Sequence, residues 1–386
     1  MMKIEKYPLQ SSWEKLLKRP VQDQKSLAAL VEPILQEVKM DGDEALIRFN
    51  EKFDGYASTD LVVNEEEIDK AEAALDHELK TAILLAKDNI SRFHEAQKLK
   101  ETAVETMPGV ICSRKSVAIE KVGLYIPGGT APLFSTVLML GVPAQIAGCK
   151  EIVLCTPPNS HGEIHPAILY TARLVGVNKI IKAGGAQAIA TMAYGTETVP
   201  KVYKIFGPGN QYVTMAKQLV NAENTAIDMP AGPSEVAVIA DEHAVPEFVA
   251  ADLLSQAEHG TDSQVVLVST SETIIEKTNV ALSEQLSRLP RREIAEASLA
   301  NSLAVLVRDQ DEALALLNQY GPEHLILAVQ NGDEVASKVT NAGSVFVGNF
   351  TPEAVGDYAS GTNHTLPTNG FAKAYSGVSL DSFVKK

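Results

Sequence analysis

Between residues 22 and 100, apolar residues recur every three or four positions among charges, as in SLAALVEPILQEVKM and EEIDKAEAALDHELKTAILLAKDNISRF. That period predicts helices with one apolar face. From residue 117 the rhythm changes. Short aliphatic runs, VGLYI (122–126), EIVLCT (151–156), KIIKA (179–183) and KVYKIF (201–206), alternate with Ala-rich or amphipathic segments. A second series follows the same rhythm: EVAVIA (235–240), QVVLVS (264–269), LAVLV (303–307), HLILAV (324–329) and SVFVG (344–348). Strands alternating with helices predict βαβ units, hence parallel sheets covered on both faces. The first twenty residues, which hold the single tryptophan, Trp13, read as a separate arm.

Length and charge narrow this picture. A chain of 386 residues exceeds one ordinary core, so two domains are expected. Its net charge of −15 and pI near 5.1 argue against a nucleic acid or an anionic membrane as partner. An anionic cofactor stays possible, because oriented backbone amides bind phosphate whatever the global charge. The N-terminal MMKIEKYPLQSSWEK lacks the apolar segment of a signal peptide, and no apolar run reaches bilayer length, so a cytoplasmic protein is expected. Cys112, Cys149 and Cys155 sit singly in apolar surroundings and read as reduced, buried thiols.

Candidate chemistry falls in two groups. In the first series, strands run into the glycine-rich turns YIPGGTAPL (125–133), KAGGAQAIA (182–190) and IFGPGNQYV (205–213). A parallel sheet binds ligands at the carboxyl ends of its strands, where glycine lets backbone approach and helix N-termini favour anions. A phosphate-bearing or dinucleotide ligand is expected there, or the glycines only make the turns. The G-x-G-x-x-G fingerprint and the Walker A lysine are absent, so any nucleotide binds in a variant way.

In the second series, Gln256 and His259 lie three apart at the end of a helix in DLLSQAEHGTD (252–262). Glu323 and His324 adjoin at the entry to a strand in GPEHLIL, and both can reach one site only if the strand begins after them. Asp357 and His364 fall in TPEAVGDYASGTNHTLPTNG (351–370), a run too polar to serve as packing. It reads as an extended loop, ordered against a ligand because an aliphatic run precedes it. Nitrogen and oxygen donors of this kind suit zinc, and a His beside a Glu suits general base chemistry. His161 and His165 form H-x3-H without a carboxylate cluster and rank below this set, and His243 reads as an ordinary surface residue.

Taken together, LYIPGG (124–129), GGAQAIA (184–190), KIFGPGN (204–210), IDMPAGPSEV (227–236), SQAEHG (255–260), YGPEHL (320–325) and GDYASGTNHTLPT (356–368) closely resemble the signatures of histidinol dehydrogenases. The resemblance implies a cytoplasmic homodimer that oxidises L-histidinol to L-histidine through an aldehyde, with NAD and one zinc ion per subunit. It implies two incomplete Rossmann-like, doubly wound α/β domains, one inserted in the other. The expected division is an arm at 1–20, a zinc- and substrate-binding domain at 21–124 and 235–378, an NAD domain at 125–234, and a tail beginning at 379–386.

By position, the resemblance makes Gln256, His259 and Asp357 zinc ligands and His324 the proton-accepting base. Glu323 becomes the group that activates water on the aldehyde. Ser234, Gln256, His259, His324 and Asp357 contact substrate, and Tyr125, Gln187 and Asn210 contact NAD. Family members continue beyond the position of Lys386 with a segment bearing a further zinc-binding His and a substrate-binding Glu. A truncated chain with impaired metal and substrate binding is therefore expected. A zinc hydrolase using Glu323, or an inactive binding or assembly protein, is the alternative.

Overall fold

The computed structural model describes residues 2–20, 24–128 and 131–386. The chain divides into two compact units: residues 1–22, 229–357 and 366–377 form one, and residues 23–228, 358–365 and 378–386 form the other.

Among the described residues, the first unit is built on six strands, all parallel, in the order Lys3–Lys6, Leu303–Leu306, Gln264–Ser269, Glu235–Ala240, His324–Ala328, Ser344–Val347. Glu235–Ala240 begins the series at its centre. Successive strands add on one side of it, and the chain then crosses to the other side, as in a doubly wound sheet. Strand side chains alternate between faces, so each strand serves two cores. Val236, Val238 and Ala240 enter one core with Leu253 and Leu267. Ala237 and Ile239 enter the other with Val266, Leu317 and Leu325. Burial on both faces explains why these strands read as unbroken aliphatic runs.

The second unit carries five parallel strands in the order Lys179–Lys182, Glu151–Thr156, Lys121–Tyr125, Lys204–Phe206, Ala226–Ile227. Its winding is the same. Leu27, Val31, Leu35 and Val38 follow helical spacing along Gln24–Phe49 and pack with Val153, Cys155, Ile181 and Ile205 in one core.

Three expectations are corrected. The first twenty residues are not a separate arm: Lys3–Lys6 extends the first unit's sheet, and Trp13 is buried in its core. Residues 24–124 group with the second unit rather than with 235–378, because the apolar stripe of Gln24–Phe49 completes that unit's core. Cys112 is exposed, since it lies on a hairpin, Thr102–Met107 with Val110–Arg114, that is exposed along both strands. Cys155 is buried as expected, and Cys149 is partly buried.

Candidate functional site

In the first unit the polar residues converge at the amino-terminal edge of the sheet, opposite to the carboxyl edge that parallel sheets usually offer. The strand His324–Ala328 begins at His324 rather than after it, yet Glu323 lies before the pleat and its Oε2 is 3.7 Å from His324 Nδ1, so the two side chains share one site. The backbone of Glu235, at the start of the central strand, holds both. Its N–H donates to Glu323 Oε2 at 2.9 Å, and its carbonyl lies 3.1 Å from His324 Nδ1. A carbonyl can only accept, so Nδ1 carries the proton and Nε2 keeps its lone pair. Glu235 is itself clamped by Arg19, whose Nε and Nη2 donate to the two carboxylate oxygens at 2.5 and 2.8 Å.

His324 Nε2 faces Glu353 Oε1 at 3.8 Å. His324, Glu353 and Asp357 each offer a ligand atom within 4.8 Å of the others. Asp357 is not on an extended loop: Glu353–Tyr358 is a helix, and positions 353 and 357 lie one turn apart on one face. Glu353 is almost fully buried. It accepts from Ser255 Oγ at 2.7 Å and from Gln256 Nε2 at 2.5 Å. The remaining amide oxygen, Gln256 Oε1, is buried without a hydrogen-bond partner. The helix Pro246–Ala257 ends just after Gln256, and His259 turns back with its Nδ1 3.4 Å from Ser234 Oγ. His259 and Ser234 thus pair beside the tight group rather than inside it.

Burial sets the proton affinities. It pushes the Glu323 carboxyl well above the usual carboxylate range, against the Glu235 N–H bond that lowers it. Burial holds His324 below an ordinary imidazole, so its neutral form is favoured despite Glu353 nearby. Asp357 is pushed up to about 9 by burial and by its carboxyl neighbour Glu353, with which it hydrogen-bonds. Two carboxyls this close share a proton until a cation replaces it.

This donor set fits a zinc ion. A buried amide oxygen has no other partner, and the Asp357 carboxyl lies within reach of the carboxylate that holds that amide. Sequence reasoning missed Glu353. The signal was the E-x-x-x-D spacing, which sets two carboxylates on one helix face.

In the second unit the expected cofactor residues lie at the carboxyl edge. Tyr125 ends its strand, and its hydroxyl accepts from Gly185 N–H at 3.1 Å. Gln187 sits in the first turn of the helix Gly185–Tyr194, its Nε2 3.5 Å from Asp54 Oδ2. Asn210 caps the helix Gln211–Ala222 by accepting from the N–H groups of Tyr212 and Val213. Gly207 has φ +131°, and a Cβ there would lie 2.1 Å from the Tyr125 carbonyl oxygen, so only glycine lets these two turns meet. Residues 129 and 130 of the first glycine turn lie outside the described residues.

His364 Nε2 is 3.1 Å from Thr136 Oγ1 in the second unit. His165 caps a helix through Ala167 N–H, and His161 is exposed. His243 is exposed beside Asp241 and Glu242. Among the described residues no helix is long and apolar enough to cross a membrane.

Comparison with known proteins agrees with this layout. The histidinol dehydrogenase family profile matches residues 17–386. The histidinol dehydrogenase of Bacteroides thetaiotaomicron is 63% identical, over 100% of this chain and 90% of its own length. A crystal structure of histidinol dehydrogenase from Elizabethkingia anophelis superposes with TM-score 0.97 at 55% identity, covering 100% of this chain and 89% of that one. An acetylating aldehyde dehydrogenase from Geobacillus thermoglucosidasius, at TM-score 0.51 and 15% identity over 97% of this chain and 92% of its own, shares the fold alone. With a profile spanning nearly every residue and relatives this similar end to end, the chain belongs to the histidinol dehydrogenase family.

Proposed function

We propose that the chain oxidises L-histidinol to L-histidine through the aldehyde in two NAD-dependent steps, with Glu323 and His324 as its acid–base pair. The observation that carries this is the convergence of a neutral, oriented imidazole, a desolvated carboxyl and an orphaned amide oxygen at one sheet edge. Gln256, His259 and Asp357 would hold zinc, with Glu353 and His324 beside them. Tyr125, Gln187 and Asn210 would contact NAD.

When bound, NAD accepts a hydride in each oxidation, and zinc fixes and polarises the substrate's polar groups. The protein's own residues move the protons. His324 Nε2, free to accept because Nδ1 is committed to Glu235, takes the hydroxyl proton in the first oxidation. Glu323, once ionised, draws a proton from the water that adds to the aldehyde, and His324 takes one again from the resulting hydrate. Ser234, 3.4 Å from His259 Nδ1, would hold substrate. Atoms balance as one histidinol, one water and two NAD giving histidine, two NADH and three protons.

The test is direct. Zinc-loaded chain mixed with L-histidinol and NAD at alkaline pH should form two NADH for each histidinol consumed. No NADH from metal-loaded, folded protein would overturn the reading, and one NADH per histidinol would restrict it to the alcohol step. A cytoplasmic homodimer belongs to the same proposal and rests on family membership. Sedimentation at twice the 41.4 kDa chain mass would support the dimer.

A further inference from the structure

We propose that Glu353 is a positioning residue that orients the Gln256 amide so that Oε1 faces the metal ion; this rests on the zinc reading above. The two ends of an amide side chain are nearly the same size, so packing alone does not decide which one points into a site. A carboxylate decides it chemically, because it accepts and never donates. Glu353 Oε1 takes the Gln256 Nε2–H bond at 2.5 Å. The opposite end, Oε1, is thereby left buried with nothing to accept from, in a fold where such an orphan is costly. A cation is the partner that fits a buried lone pair beside carboxylates.

Glu353 is in turn held on every side. Its Oε2 accepts from Ser255 Oγ at 2.7 Å, and its backbone N–H donates to Asp252 Oδ1 at 3.0 Å. These bonds tie the helix Glu353–Tyr358, and with it Asp357 one turn on, to the end of the helix that carries Gln256. One buried carboxylate therefore sets two proposed ligands, while its own oxygens are already engaged by hydrogen-bond donors. Outer-shell partners of this kind fix ligand orientation and contribute to metal affinity.

Two substitutions separate positioning from ligation. Glu353→Gln keeps an oxygen that accepts from Gln256 Nε2, and Glu353→Leu removes it. Zinc affinity, measured by competition with a chromogenic chelator, should fall about 10–100-fold in Glu353→Leu and only a few-fold in Glu353→Gln. At saturating zinc, kcat for histidinol should fall less in Glu353→Gln than in Glu353→Leu. Equal, large losses in both variants would make Glu353 a ligand and overturn the proposal, as would unchanged affinity in both. If Glu353→Leu does not fold, Ser255→Ala decides. It frees one carboxylate oxygen and should weaken zinc binding several-fold, and no change would overturn the proposal. A parent chain that binds no zinc would remove the metal reading itself, a result distinct from any difference among variants.

Discussion

Replacing Arg19 by methionine should destabilise the first unit by about 3–5 kcal/mol, the range for removing one partner of a buried ion pair. Glu235 is only 2% exposed, so its carboxylate cannot regain water when the guanidinium leaves. Arg19 supplies two hydrogen bonds to it, at 2.5 and 2.8 Å, and stacks 3.9 Å from the Tyr320 ring. After the substitution, among the described residues only the Asn369 N–H, at 2.8 Å, still donates to that carboxylate. Most of the loss is therefore an uncompensated charge rather than a missing contact.

The double variant Arg19→Met with Glu235→Gln removes that charge. It should recover roughly half of the loss, since replacing both members of a buried pair is often nearly neutral. Trp13, the single tryptophan and buried in this unit's core, supplies the fluorescence signal for urea unfolding. The backbone of Glu235 also holds Glu323 and His324, so Arg19→Met should lower kcat even where the protein stays folded. A cost below about 1 kcal/mol, or strictly additive single and double variants, would refute the reasoning.

Three further outcomes are expected. His324→Asn should lower kcat by about 10²–10⁴-fold while leaving zinc affinity within a few-fold, whereas His259→Asn should lose the metal; the opposite pattern would exchange the two roles. Burial raises the Asp54 carboxyl from 3.8 to about 6, so its contribution to stability is whole below pH 3.8 and is lost as pH rises through 6. Asp54→Asn should therefore be more stable than the parent at neutral pH, by about 1 kcal/mol after discounting for its partial exposure, and equal to it near pH 4. Thermal unfolding across that range checks the sign. Gly207→Ala should cost about 1–3 kcal/mol and raise the KM for NAD, because the added Cβ meets the Tyr125 carbonyl; unchanged Tm and KM would show that the turn can yield.

What the sequence disclosed follows from how each element is buried. EIVLCT, EVAVIA and QVVLVS coincide with strands because burial on both faces confines their polar residues to the strand ends. The hairpin at 102–114 escaped notice for the opposite reason: it is exposed along both strands, so no alternation marks it. The grouping of Gln24–Phe49 was illegible because an apolar stripe announces burial without naming the partner. Gln256, Asp357, Glu323 and His324 stood out as polar residues in conspicuous motifs, and they do converge. Glu353 hid in a stretch whose Gly, Thr and Pro content resembled a loop. The short helix there became visible only with the backbone.

The edge strand has a consequence for how the chain is made. Lys3–Lys6 pairs with Leu303–Leu306, about 300 residues later in the chain. At a synthesis rate of about 5–20 residues per second, that strand waits roughly 15–60 s for its neighbour to be made. The second unit lies almost wholly between them and can complete its own sheet in the interval. Folding order is thus written into the connectivity: the second unit can mature first, and the first unit closes last around its own beginning. Pairing at such separation is slow, and until it forms, the open edge of Leu303–Leu306 is the place where a nascent molecule is most exposed to joining the wrong strand.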